Sequence, residues 1–184
     1  MSNLQSNDHH VHNAQRTARH VEKLEWNDGL LLGHGPMDDE HREFVNVVMA
    51  LRYSTVETAL AALAAVEAHL ISHFDLEHEW MDKTAFPDVY SKCHRDQHDE
   101  VLASVFQVHQ LAAIGQIGLG GVHRLAQSLM DWFPGHADYM DSSLSAWING
   151  KTHGGQAVVL RRNLVYEERI PDGDPKNDVH AKAA

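Results

Sequence analysis

Residues 57–82 read ETALAALAAVEAHLISHFDLEHEWMD, and this stretch decides the fold. Within it Ala59, Leu63, Val66, Leu70, His73, Glu77 and Trp80 recur at steps of 4, 3, 4, 3, 4 and 3. That spacing is the seam of a helix packed in a bundle, and strand-like alternation is absent. The Ala and Leu in its middle are strong helix formers. The odd feature is the far end of the seam. Where Leu or Val should stand there are His73 and Glu77, one turn apart on one face.

Three further segments repeat the pattern. After Pro36, the positions Met37, His41, Phe44, Val48 and Leu51 are in step, with Asp38 and Asp39 suited to the first turn of a helix. From about Pro87, Ser91, His94, His98, Val101, Val105, Val108 and Ala112 continue the register until it fades at Gly115 and Gly118. After Gly120-Gly121 come Val122, Leu125, Leu129, Trp132 and His136, then a second run of Asp141, Leu144 and Ile148. Short connections favour antiparallel neighbours. The expected architecture is therefore all-α, an up-down-up-down antiparallel four-helix bundle over residues 24–150. A flexible polar arm is expected over 1–23. An extension is expected over 151–184, with an apolar patch at Val158, Val159, Leu160, Leu164 and Val165.

The whole composition agrees with one soluble domain: 184 residues, 43% hydrophobic and 22% charged. A formal charge of -11 disfavours nucleic acid and anionic membrane surfaces as partners. No apolar run approaches the roughly 20 residues of a membrane span, and the His-rich start has no apolar centre, so a cytoplasmic location is expected. The single cysteine, Cys93, forms neither an internal disulfide nor a thiolate cage, which leaves nitrogen and oxygen as metal ligands. Sixteen histidines make that remark pertinent.

His41, His73, Glu77, His94, His98 and His136 occupy seam positions. Burying such groups without partners costs on the order of several kcal/mol each, and a bound cation removes the cost. His73 with Glu77, and His94 with His98, converge by their four-residue spacing. Asp141 breaks the rule, because five residues beyond His136 is a rotation of roughly 140° on an ideal helix. The register also slips by one residue there, and Pro134 lacks the N–H that would pair a carbonyl in the preceding turn. A π-bulge between Leu129 and Leu144 is therefore expected. Five histidines and two carboxylates exceed the needs of one zinc and suit two first-row metal ions with bridging carboxylates. Imidazole-rich ligation points to iron and oxygen chemistry, although ligand type alone also admits copper and zinc.

Taken in order, Asp38-Asp39-Glu40-His41, the HxxxE of His73 and Glu77, the HxxxH of His94 and His98, and the HxxxxD of His136 and Asp141 resemble the bacterial hemerythrins, of the HHE cation-binding family. The likeness spans about Leu24 to Ile148, with Trp26, His73-Phe74, Met81 and Trp132 in matching places. It implies two non-haem iron ions with an oxo or hydroxo bridge and with Glu77 and Asp141 spanning both. His94, His98 and His136 would fill one iron; His41 and His73 would hold the other, leaving a position open for O2, bound reversibly as hydroperoxide. The implied function is O2 storage, delivery or sensing. Phe44, Phe74, Trp132, Tyr139 and Met140 are the residues expected around the ligands or the O2 pocket.

The chain departs from the family pattern at His78, which stands where a second acidic residue is common and falls on the flank of the helix, as a supporting contact at most. It also departs at Pro134-Gly135 and at Tyr139-Met140. A tyrosine near bound O2 motivates the alternative of a di-iron redox enzyme acting on peroxide, O2 or nitric oxide. A third reading is a regulatory module that engages a protein partner through the extension. For His34, His69, His78, His109, His123, His153 and His180 a solvated surface or tail position is expected, with His69 the one tempting as an extra ligand. For Cys93 inert packing is expected.

Overall fold

The computed structural model of the protein describes residues 23–152. Nearly all of the arm, and the extension beyond Thr152 with His153, His180 and the apolar patch, lie outside the described residues. Among the described residues the regular structure is all helical. A short 3-10 turn, Asp28–Leu30, precedes α1 (Gly35–Arg52), α2 (Ala59–Thr84) and α3 (Asp88–Ala113). Then α4 (Leu119–His136), a π turn (Ala137–Asp141) and α5 (Ser142–Thr152) follow one another without a gap. Helix α1 packs on α2, α2 on α3, α3 on α4 and α4 on α1, so four rods close a ring around an interior.

Local chemistry explains the ends. Pro36 sits in the first turn of α1, where its missing N–H costs nothing. The buried Asp38 carboxylate accepts from Leu32 N at 2.6 Å and Gly33 N at 3.1 Å, which ties the incoming loop to the helix start. Helix α2 ends at Ala85, a residue in the left-handed region with φ 51°, and Phe86 N–H returns to Met81 O. Helix α3 ends before Gly115, whose φ of 69° suits a residue without Cβ.

The expected π-bulge is present. Helical backbone angles continue through His136, and Ser142 N–H donates to Ala137 O, a five-residue step that inserts one extra residue into the turn. It begins three residues beyond Pro134.

Helix α2 is long and apolar enough by composition to cross a bilayer, which counting uninterrupted apolar runs does not reveal. Its buried stripe nevertheless includes His73 and Glu77 and faces the bundle interior. The apolar interior has two parts. The larger joins Phe44, Val48, Leu51, Leu63, Val66, Leu70, Val105, Leu129 and Phe133. The smaller joins Met37, Met81, Phe86, Leu144 and Ile148.

Candidate metal centre

The seven polar seam residues meet in the interior. His41 comes from α1, His73 and Glu77 from α2, His94 and His98 from α3, His136 from the end of α4 and Asp141 from the end of the π turn. All seven are buried. Their ligand atoms form two groups that share Glu77. In one, Glu77, His94, His98, His136 and Asp141 place one ligand atom each within 4.8 Å of all the others; in the other, His41, His73 and Glu77 do the same.

Six separations among the ligand atoms of the first group lie between 2.9 and 3.4 Å. Nε2 of His136 lies 3.0 Å from Nε2 of both His94 and His98. Glu77 Oε2 lies 3.1 Å from His94 Nε2 and 3.4 Å from His98 Nε2. Asp141 Oδ1 lies 2.9 Å from His94 Nε2 and 3.1 Å from His136 Nε2. Adjacent ligands of a first-row ion with bonds of about 2.1 Å stand roughly 3 Å apart, so these separations fit one ion at the centre. The other oxygens of the same carboxylates turn to the second group. Glu77 Oε1 is 3.4 Å from His73 Nε2 and 3.9 Å from His41 Nε2, and Asp141 Oδ2 is 3.1 Å from His41 Nε2. Each carboxylate is thus split between a set of three histidines and a set of two.

Hydrogen bonding alone does not satisfy these groups. Both oxygens of Glu77, both of Asp141 and both ring nitrogens of His41 are buried without a hydrogen-bond partner among the described residues. Groups so placed carry a desolvation cost that a cation offsets. Burial and the neighbouring Asp141 push the Glu77 carboxyl up, with His94 and His41 opposing. Asp141 is just as buried, yet His136, His41 and His94 outweigh that and hold it well below the usual range. At His41, His73, His94 and His98 burial is the largest influence. It lowers His73 and His98, whereas Asp141 and Glu77 overcome it at His41 and at His94, the latter raised to about 9. The donor set, the orphaned oxygens and the spacing together fit two metal ions.

Aromatic rings surround the centre. Phe74 stacks on His98 at 3.7 Å and Trp132 on His136 at 4.3 Å. Phe133 meets His41 edge-on at 5.1 Å and stacks on Phe44 at 4.5 Å. Phe74, Trp132 and Phe133 thus touch rings of the seven-residue cluster directly, and Phe44 reaches it through Phe133. Tyr139, by contrast, is 69% exposed. With Met140, Gln97, Gly135, Trp132 and His136 it lines an open cleft of about 430 Å³. The π turn carries it outward while carrying Asp141 inward.

Five of the seven histidines expected on a solvated surface or tail have specific partners instead. The His69 side chain is 8% exposed and stacks parallel to His73 at 5.6 Å, with Nδ1 3.9 Å from Glu40. It is absent from both ligand groups. His78 Nε2 lies 3.2 Å from His98 Nδ1, the supporting contact its flank position allowed. Burial, then Arg95 and His94, lower its pKa. His34 packs edge-on to Trp80, His109 pairs with Glu67 at 2.7 Å, and His123 donates to Ser54 O. Each sits at the border of the apolar interior, where an imidazole can bury a face and keep a polar contact, and seam counting does not detect borders. Cys93 is exposed and free, so it is neither packed nor a ligand. Sequence reasoning also missed Gln97, whose Oε1 lies 3.0 Å from His136 Nδ1. No spacing rule singles out a lone Gln between two ligands.

Comparison with known proteins agrees with this geometry. The model of the Hemerythrin HHE cation binding domain matches residues 33–148. A bacteriohemerythrin of Ralstonia nicotianae is 35% identical over 125 residues, which cover 68% of this chain and 88% of that protein. No solved structure matches the chain. A family match across all four rods, on a buried cluster of the kind such a cation-binding domain requires, leads to one conclusion: the chain belongs to the hemerythrin family.

Proposed function

We propose that the protein is a non-haem di-iron protein that binds O2 reversibly, for storage, delivery or sensing. The observation that carries this reading is the splitting of Glu77 and Asp141, one oxygen of each toward three histidines and the other toward two. In this reading His94, His98 and His136 would hold one iron and His41 and His73 the other, with Glu77 and Asp141 shared between them and an oxo or hydroxo group completing the pair. The set of two histidines has fewer protein donors, which leaves room for a small ligand. When bound, the iron pair supplies the electrons that hold O2 and recovers them on release.

The chain's own residues supply rigidity and dryness. Phe44 and Phe133 press on the His41 side, and Phe74 and Trp132 brace His98 and His136. An apolar wall admits O2 more readily than ions or water clusters. The redox-enzyme alternative takes its motive from Tyr139 and the altered last helix, and the Tyr139 side chain is 69% exposed on the cleft rim. Its placement favours the carrier reading.

The up-and-down order of the rods, a unit spanning residues 24–150 and a cytoplasmic location complete the reading. Purified protein should hold two irons per chain. A charge-transfer band should appear when the reduced protein meets air and fade under vacuum. Irreversible bleaching in air would shift the assignment to redox catalysis, and the absence of stoichiometric iron would overturn it.

A further inference from the structure

With Nε2 of His94, His98 and His136 turned toward one another, Nδ1 is the nitrogen that carries the proton on each ring once a metal is held. The destinations of these N–H groups are a property of this chain. His136 Nδ1–H donates to Gln97 Oε1 at 3.0 Å, and His98 Nδ1–H donates to His78 Nε2 at 3.2 Å. The amide of Gln97 must present its oxygen here, since the opposite orientation would set two donors face to face. His94 Nδ1 has no partner among the described residues. None of these acceptors is a carboxylate, although Asp75 and Glu79 flank His78 in sequence and Asp96 precedes Gln97.

The kind of acceptor matters to the metal. A carboxylate draws the Nδ1 proton toward itself, makes the ring a stronger donor at Nε2 and thereby favours the more oxidised metal. An amide oxygen or a neutral imidazole fixes the same ring orientation while pulling less on the proton. We propose that Gln97 and His78 are positioning residues that anchor two metal-holding histidines through uncharged acceptors and so keep the three-histidine iron easier to hold in the ferrous state. The proposal rests on the di-iron reading above and deepens it. A carrier must give its O2 back with the electrons returned, and a site biased toward ferric iron would retain the oxidised form.

Two features make Gln97 the better position to test. It is partly exposed, at the wall of the cleft that also contains Tyr139, so a charged isostere can be accommodated there. The ring it anchors is braced on another side by Trp132, so His136 keeps a contact if the hydrogen bond changes.

The experiment compares iron-loaded wild type, Gln97→Glu and Gln97→Leu by metal analysis, redox titration and the rate at which the oxygenated band is lost in air. Gln97→Glu should retain two irons, titrate at a lower midpoint potential and autoxidise about tenfold faster, in line with the usual size of such outer contacts. Gln97→Leu should not lower the potential, because it removes the acceptor without adding charge. A Glu variant that holds two irons at an unshifted potential would overturn the proposal, as would Glu and Leu variants shifted alike. Wild type without two irons would overturn the di-iron reading and this one together, which separates the two failures.

Discussion

Glu77 and Asp141 carry opposite obligations in the metal-free and metal-loaded protein. Without metal they are two fully buried carboxylates set close to each other among imidazoles. Burial and Asp141 disfavour the ionised Glu77 in the metal-free fold, so Glu77→Gln should melt higher than wild type after chelation. It should melt lower than wild type when both are loaded with iron, and a thermal melt of each protein in each state checks the crossing. Proton counting gives a second prediction. His94, raised to about 9, is protonated at pH 7 in the metal-free site, and its neighbours Asp141 and Glu77 shift His41 in the same direction, whereas His73 and His98 are lowered and neutral. Metal uptake at pH 7 should release a proton from His94 and none from His73 or His98, so affinity falls as pH falls. Indicator dye in weak buffer measures the release; uptake without protons would refute it. The histidine and carboxylate positions were legible because a polar residue on an apolar seam stands out. Gln97 and the burial of His69 were not, because both depend on contacts between rods.

Among the helices, the connections carry conformations that substitutions can test. Ala85 closes α2 in the left-handed region, where a Cβ is unfavourable, so Ala85→Gly should stabilise the fold by about 0.5–1 kcal/mol. Gly115→Ala should destabilise by a similar amount at its φ of 69°. Denaturant midpoints read both, and a change of either in the opposite sign would contradict the loop geometry. All four rods were legible from seam spacing to within a few residues, and so was the irregularity in the last, from the slipped register and Pro134. The partners of α5 were not. Trp147 Nε1–H donates to Thr84 O, and Ser145 Oγ donates to Leu32 O. These are contacts with chain ends that no periodicity describes.

At the scale of the whole molecule, the metal centre lies among residues from every rod, so metal binding and assembly of the bundle are one equilibrium. Chelation should lower the melting temperature substantially, and restoring ferrous iron without oxygen should recover it. Because α5 is anchored by residues up to Ile148, a chain ending at residue 152 should keep its iron content and spectrum. A changed spectrum would show that the extension belongs to the bundle.

The extra residue in the last rod acts as a change of phase. Upstream of it, Leu125, Leu129 and Phe133 address one apolar compartment; downstream, Leu144 and Ile148 address another. A helix of constant phase would carry a single stripe and serve one compartment well and the other poorly. The discontinuity falls between His136 and Asp141, so the rod changes allegiance at the level of the polar cluster. The centre works as a joint between two cores as well as a site for chemistry.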